Sequence, residues 1–277
     1  MRRTQSIRHL FRQSRSFYAL AAGMWPFSKA VDRTAPTTVR LVKSHVDDFI
    51  HWSGGVSDAW QGQIPPTLSP YWTMPSLAAC LVGRGLEMSR MLNGGCRILQ
   101  HRPLSVDESF TVHSHFESLT ELEPFKMVTL VSETRRIDQT LALESHVRFI
   151  IPTPKKSSHH KPTLTPEGDV IGELLSESQD GFNFACLTGD PNPIHWLTPW
   201  AKLSGFNHCI LHGFGTLARS YELLLEDGHL TRDTLQADVD FRHPVPLPST
   251  ARLYRSGKRV SVWVNGAHKP SLLGTIQ

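Results

Sequence analysis

The sequence places a carboxylate and an imidazole at the two ends of a short segment that cannot be helical. Residues 189–195 read GDPNPIH, and the prolines on either side of Asn192 exclude a continuous helix. A rigid loop is therefore predicted, and it would hold Asp190 and His195 in fixed relative geometry at little entropic cost. Such a pair can hold one water molecule and act as acid and base when water is added or removed. On residue types alone two plainer interpretations stay open, because DPNP is also typical of a turn and a histidine beside Trp196 is typical of a packed side chain.

A second candidate lies downstream, where His212 and Gly213 stand immediately before an apolar segment with helical spacing. Backbone N–H groups at the start of a helix have no intrahelical acceptor, and they favour negative charge. A carbonyl oxygen at the Gly213 N–H would therefore be stabilised as it gains charge, and glycine lets a substrate approach the backbone closely. The alternative is an ordinary helix start without a role in catalysis.

Composition and charge exclude several classes of protein. The chain has 277 residues, of which 39% are apolar and 19% are charged, enough for a sizeable core and too little charge for disorder. Residues 1–31 carry six basic residues and no acidic one, while the remaining 246 carry 23 basic and 25 acidic residues. The positive charge therefore belongs to a basic N-terminal tail, and a nucleic-acid-binding body is not indicated. The tail has no apolar run of the roughly 20 residues that cross a bilayer, so no integral membrane segment is expected.

The composition of the tail is consistent with more than one cellular compartment. A cytoplasmic protein is the favoured interpretation, and a mitochondrial transit peptide is the alternative because the tail is rich in arginine and serine. The four cysteines, Cys80, Cys96, Cys186 and Cys209, are far apart and are expected to be isolated core thiols in a reducing compartment.

No metal or other cofactor is predicted. No CxxC pair is present, and His159 and His160 lie between lysines without carboxylate or cysteine partners. No glycine-rich phosphate loop or dinucleotide fingerprint occurs.

A proline-rich linker divides the chain into two halves of similar size. The segment 152–168, PTPKKSSHHKPTLTPEG, has no periodic apolar pattern. We therefore predict a basic tail (1–35), a first repeat (36–151), the linker (152–168) and a second repeat (169–277). The repeats are suggested by FIHWSGG (49–55) against FACLTGD (184–190), and by HRPLSVDESFTV (101–112) against RHPVPLPSTARL (242–253).

Each half is predicted to contain one longer helix followed by antiparallel strands. The helices are expected at 77–92 and 213–226, and the strands at 127–132, 141–151, 261–264 and 272–276. A sheet wrapped around a central helix accommodates this order, because the helix covers the apolar face of the sheet. The prediction is an α+β protein with two such sheets side by side.

The stretch FNFACLTGDPNPIHWLTPWAKLSGFNHCILHGFGTLA (182–218) resembles the hydratase-2 motif of the MaoC-like dehydratases, which include the (R)-specific enoyl-CoA hydratases. FRHPVPLP (241–248) extends the resemblance over most of 169–277, and PPTLSPYW (65–72) with QHRPLSVDE resembles the degenerate first repeat of double-hotdog members. The resemblance implies a double hotdog fold and a hydro-lyase acting on trans-2-enoyl thioesters of CoA or acyl carrier protein.

The resemblance also implies roles for individual residues. Asp190 and His195 fall on the catalytic pair, Asp190 taking a proton from water while His195 holds the same water, and Gly213 falls on the oxyanion-hole glycine. We expect substrate contacts from the remaining motif residues Asn192, His212 and Phe214, with Phe214 shaping the acyl pocket where methionine is usual.

The first repeat has Gly55 where the second has Asp190, and no NPxH follows, so we expect one active site.

PPTLSPYW would line the acyl tunnel or serve as a plain connection. A homodimer of double hotdogs is compatible with the resemblance. The rival functions are a hotdog thioesterase and a non-catalytic module that binds acyl thioesters.

Overall fold

The computed structural model describes residues 30–153 and 164–277. The N-terminal tail before residue 30, with the features that bear on targeting, lies outside the described residues, as do His159, His160 and most of the predicted linker. No helix of the described part is both long and apolar enough to cross a membrane.

Ten antiparallel strands of the described residues form one sheet. The strands in chain order are β1 (Thr37–Val39), β3 (Leu92–Gln100), β5 (Phe110–Leu122), β6 (Phe125–Arg136), β7 (Leu141–Pro152), β8 (Asp169–Ser176), β9 (Leu235–Phe241), β10 (Ser249–Ser256), β11 (Arg259–Val264) and β12 (Leu272–Ile276), while β2 (Gln63–Ile64) and β4 (Leu104–Ser105) form a separate pair. Alternating side chains face the core, as in β9, where Leu235, Ala237 and Val239 are buried.

The strand order shows an internal repeat. Across the sheet the order is β1-β5-β6-β7-β3-β9-β12-β11-β10-β8. From the outer edge to the middle of the sheet, the first half is arranged as β1-β5-β6-β7-β3 and the second half as β8-β10-β11-β12-β9. In each half four strands follow one another in chain order from the edge, and the strand that comes second in the chain lies innermost. The halves join where β3 pairs with β9, from Gly95 opposite Asp240 to Gln100 opposite Leu235.

Five described helices lie against this sheet. They are α1 (Lys43–Ser53), α2 (Pro70–Leu81), α3 (Asp180–Thr188), α4 (Thr198–Leu203) and α5 (Gly213–Glu226). Helix α2 packs on β5 and β6, and α5 packs on β8 and β12. Helix α5 buries Leu217, Tyr221 and Leu224, which lie on one face because residues three and four apart share a face. One sheet wrapped around two central helices is the predicted α+β double hotdog.

The predicted helix at 77–92 is wrong, whereas the helix predicted at 213–226 is confirmed as α5. The first central helix begins at Pro70, because proline suits the first position of a helix, where its missing N–H costs nothing. It ends at Leu81, shortly before Gly83 and Gly85 take positive φ values of 75° and 66°. The segment PPTLSPYW is thus partly a helix start, and its 3₁₀ turn, Pro66–Leu68, is buried and contacts α5.

Helices α1 and α3 are built alike. Ser53 and Thr188, the last residues of these helices, are buried, and each hydroxyl donates to the carbonyl oxygen four residues earlier, that of Phe49 and of Phe184. Each helix then ends on a glycine in left-handed conformation, and in the second half this is Gly189, with a φ of 76°. The resulting turn directs the second half of the chain into the segment that carries Asp190.

The four cysteines are free and buried, in agreement with the prediction of isolated core thiols. Burial raises the pKa of the Cys96 and Cys186 thiols to about 12, so both stay protonated and unreactive.

Candidate active site

The loop after α3 is held by its own side chains. Asp190 Oδ1 accepts a hydrogen bond from the Asn192 N–H at 3.0 Å, and Asn192 Oδ1 accepts one from the Ile194 N–H at 3.3 Å. The second bond caps the 3₁₀ turn Pro193–His195, so Asn192 shapes the loop. The expected rigid loop is therefore present, and Asp190 Oδ2 is left for other partners.

The Nδ1 atom of His195 lies 2.7 Å from the carbonyl oxygen of Ile210. Because a carbonyl oxygen only accepts, Nδ1 carries the hydrogen in the neutral ring and Nε2 carries the lone pair. His195 is 8% exposed. Burial lowers the pKa of His195, against the opposing effects of the Asp190 carboxylate and of the Ile210 hydrogen bond. The ring is therefore a neutral base at neutral pH.

His212 comes from the start of α5 and lies on the His195 ring. The ring centroids are 3.5 Å apart with an interplanar angle of 22°, and the Phe184 ring also contacts His212, with centroids 4.7 Å apart. His212 Nε2 is 3.8 Å from Asp190 Oδ2. The structure therefore brings three of the predicted residues, Asp190, His195 and His212, into one cluster.

Gly213 and Phe214 follow this cluster directly. Gly213 is the first residue of α5, where its N–H has no acceptor within the helix. A Cβ at Gly213 would overlap the Phe241 ring, so the position requires glycine for packing as well as for access. Phe214 is 6% exposed and meets Phe241 edge to face at 5.8 Å. The oxyanion-hole candidate thus lies one residue from His212.

Asp190, His195 and His212 are also three potential metal ligands, since one ligand atom from each lies within 4.8 Å of the others. A metal ion shared by both histidines must lie in both ring planes, about 2 Å from each nitrogen. The planes of the two histidine rings are inclined by only 22° and their centroids are 3.5 Å apart, so the planes intersect much further than about 2 Å from the ring nitrogens. The arrangement fits two stacked rings beside a carboxylate and does not fit a metal ion shared by the two rings.

Two supporting contacts carried no signal in the sequence. Gly181, on α3, lies so close to the backbone of His195 that a Cβ there would overlap the His195 carbonyl oxygen. Arg219, on α5, forms an ion pair with the buried Asp180 at 2.9 Å and lies 4.3 Å above the Trp52 ring of the first half. These contacts join α1, α3 and α5 beneath the site, and only the folded chain brings them together.

The first half contains a filled counterpart of this site. Gly55 and Trp60 are spaced as Asp190 and His195 are, five residues apart after the corresponding helix. A Cβ at Gly55 would overlap the carboxyl group of Glu222, a residue of α5, and Trp60 Nε1–H donates to Glu222 Oε1 at 3.2 Å. Glu222 and Trp60 are 5% and 1% exposed. A carboxyl group from the other half therefore fills the position that an aspartate at 55 would take.

Replacement of Glu222 by glutamine is expected to make stability less dependent on pH. Burial raises the pKa of Glu222 from 4.5 to about 7, against the opposing effects of Arg232 and Trp60. The folded state thus keeps a proton that the unfolded chain loses, so the wild-type protein loses stability as pH rises from about 4.5 to 7. Urea unfolding should show Glu222→Gln gaining about 3 kcal/mol relative to wild type between pH 4 and pH 8, at about 1.36 kcal/mol per pKa unit.

Glu167→Gln is the control, because Glu167 is an exposed glutamate outside α5. A stability difference between wild type and Glu222→Gln that is equal at both pH values would contradict this account.

The second half of the chain matches a known protein family, and most of the chain resembles a curated relative. A family model described as MaoC like domain matches residues 153–267. A curated Mycobacterium tuberculosis protein, 3-hydroxyacyl-thioester dehydratase X, is 27% identical in an alignment of 244 residues that covers 84% of this chain and 85% of the relative.

Solved structures share the fold. A crystal structure of HtdX from Mycobacterium tuberculosis gives a TM-score of 0.74 at 24% identity and covers 88% of this chain and 99% of its own. Another protein of that organism, described as having a double hotdog fold, gives a TM-score of 0.58 at 13% identity over 90% and 95% of the two chains. The family match falls on the half that contains Asp190, His195 and His212.

Proposed function

The chain belongs to the MaoC-like dehydratase family, and from that premise we propose that its Asp190–His195 loop adds water to, or removes water from, acyl thioesters. The substrates are trans-2-enoyl thioesters and the (3R)-hydroxyacyl thioesters that hydration yields, as intermediates of fatty-acid metabolism. The observation that carries this proposal is the geometry of His195, whose Nδ1 is bound to Ile210 so that Nε2 keeps its lone pair, and whose ring has a nitrogen within 4.8 Å of an Asp190 carboxylate oxygen.

Asp190 and His195 together offer two acceptors to one water molecule. In hydration the two hydrogens of the water face the Asp190 carboxylate and His195 Nε2. The water oxygen bonds to C3 as the C2–C3 double bond opens, one proton passes through the pair to C2, and the other stays on the new hydroxyl group. Dehydration is the same path in reverse, so both directions share one transition state.

The start of α5 stabilises the charge that develops on the thioester oxygen. As the bond at C3 forms, electron density moves to the carbonyl oxygen and gives it enolate character. The Gly213 N–H is unpaired within the helix and lies at its positive end. A donor already oriented toward this oxygen lowers the barrier without reorganisation during the reaction.

The carrier and the assembly remain predictions. The thioester is of CoA or of acyl carrier protein, and a homodimer of double hotdogs is compatible with the fold. A cytoplasmic enzyme, with mitochondrial import as the alternative, likewise stays a prediction from the sequence.

Hydration of crotonyl-CoA and of a long-chain enoyl-CoA tests the proposal. We expect loss of the enoyl absorbance and, on chiral analysis, the (3R)-hydroxyacyl product. A thiol reagent added to the same reaction distinguishes the rival enzyme: release of free CoA without hydration would show a thioesterase. Binding of both thioesters without either reaction would show a non-catalytic module.

A further inference from the structure

His212 is a buried histidine that the proposed water addition does not use. It is 3% exposed, and its ring contacts both His195, with centroids 3.5 Å apart, and Phe184, with centroids 4.7 Å apart. The three rings come from three elements: Phe184 from α3, His195 from the catalytic loop and His212 from the residue that precedes α5. His212 therefore fixes where the loop lies relative to the helix start.

The nitrogens of His212 make no hydrogen bond to any residue that the structure describes. Both are buried without a partner among the described residues, and Nε2 is 3.8 Å from Asp190 Oδ2, beyond hydrogen-bond distance. Burial, together with the neighbouring His195, holds the pKa of His212 well below its usual range, so the ring stays neutral. What His212 presents to the catalytic loop is thus the flat face of an uncharged ring.

We propose that His212 is a positioning residue, whose ring face holds the His195 imidazole in the orientation that water addition requires and keeps solvent off it. The inference rests on the proposed function of the Asp190–His195 pair. Stacked aromatic rings gain attraction beyond the area they bury, and they lose it when one ring is replaced by a branched chain. A misplaced catalytic group loses rate even when substrate binding is retained.

The same contact affects the protonation of His195. Burial is the main cause of its lowered pKa, and the ring of His212 covers one of its faces. The titratable groups that face the His195 ring among the described residues are Asp190 and His212, and the Ile210 carbonyl meets Nδ1. Loss of the covering ring admits water, so the pKa of His195 rises towards its usual 6.5.

The test compares His212→Phe with His212→Leu. Both variants lack the ring nitrogens, but only phenylalanine offers a flat aromatic face that can cover the His195 ring as His212 does. We expect His212→Leu to lower kcat for enoyl-thioester hydration about tenfold with little change in KM, and His212→Phe to keep most of the wild-type kcat. In His212→Leu the acid limb of kcat/KM should move to higher pH, whereas in His212→Phe it should not.

Titration of His195 by NMR provides a readout that does not depend on the reaction. A raised pKa of His195 in His212→Leu, with the wild-type value in His212→Phe, supports the positioning role. Absence of hydration in the wild-type protein with this shift present would overturn the proposed function alone. Hydration with an unchanged His195 titration in His212→Leu would overturn the positioning role alone.

Two further results bear on the ring face itself. Equal damage in both His212 variants, in rate and in titration, would overturn the role of the face and point to the nitrogens. His208→Phe is the control, because His208 is an exposed histidine four residues earlier in the chain, and it should leave rate and titration unchanged.

Discussion

Replacement of Asp190 by asparagine is expected to reduce kcat for enoyl-thioester hydration by about 10²- to 10⁴-fold, the range that a positioned acid or base contributes. Asparagine has the same shape, and its carbonyl oxygen can still accept the Asn192 N–H that Asp190 Oδ1 accepts at 3.0 Å. The loop geometry is therefore retained. What is lost is the carboxylate that accepts a proton from water.

The measurement is steady-state hydration of crotonyl-CoA, with circular dichroism to confirm that the variant is folded. KM should change little, because the substituted group acts on the water. Asp107→Asn, at an exposed turn of the first half, is the control and should have wild-type activity. Wild-type turnover in Asp190→Asn would show that the reaction takes place elsewhere.

Elements with regular apolar spacing and clear ends could be predicted from the sequence. The helix at 213–226 and the strand at 272–276 have the predicted bounds, because each has one apolar face and adjoins turn residues. The helix at 70–81 could not be located, because Pro70 and Pro75 are residues that usually end helices. Pro70 nevertheless begins this helix, because the first helical position needs no N–H and so tolerates proline.

Of the contacts in the candidate site, likewise, some could be predicted from the sequence and others could not. The relation of Asp190 to His195 is local, and two prolines and an Asx turn fix it within six residues, so the sequence alone predicts it. The stacking of His212 on His195 depends on how α5 meets the loop, which only the complete core determines. The contact of Glu222 with Gly55 crosses the two halves and leaves no periodic pattern in either.

Gly181→Ala is expected to displace the catalytic loop without touching a catalytic side chain. A Cβ at residue 181 would overlap the His195 carbonyl oxygen and lie 2.8 Å from the carbonyl carbon, whereas carbon atoms in contact normally stay about 3.5 Å apart. The colliding atoms are backbone atoms of a loop stiffened by prolines, so they cannot rotate away as the end of a side chain can. Either α3 or the loop must shift by more than about 1 Å, and such a shift at a reacting group can cost about 10²-fold in rate.

The displacement should appear in rate and in stability together. We expect kcat to fall by about 10²-fold and urea unfolding to show a loss of about 1–3 kcal/mol, the usual cost of overpacking a core. Gly172→Ala is the matched control, because its Cβ would lie 3.1 Å from the end of the flexible Leu223 side chain, which can move. If Gly181→Ala kept wild-type kcat, or if Gly172→Ala lost as much, the close packing of α3 against His195 would not be what holds the imidazole in place.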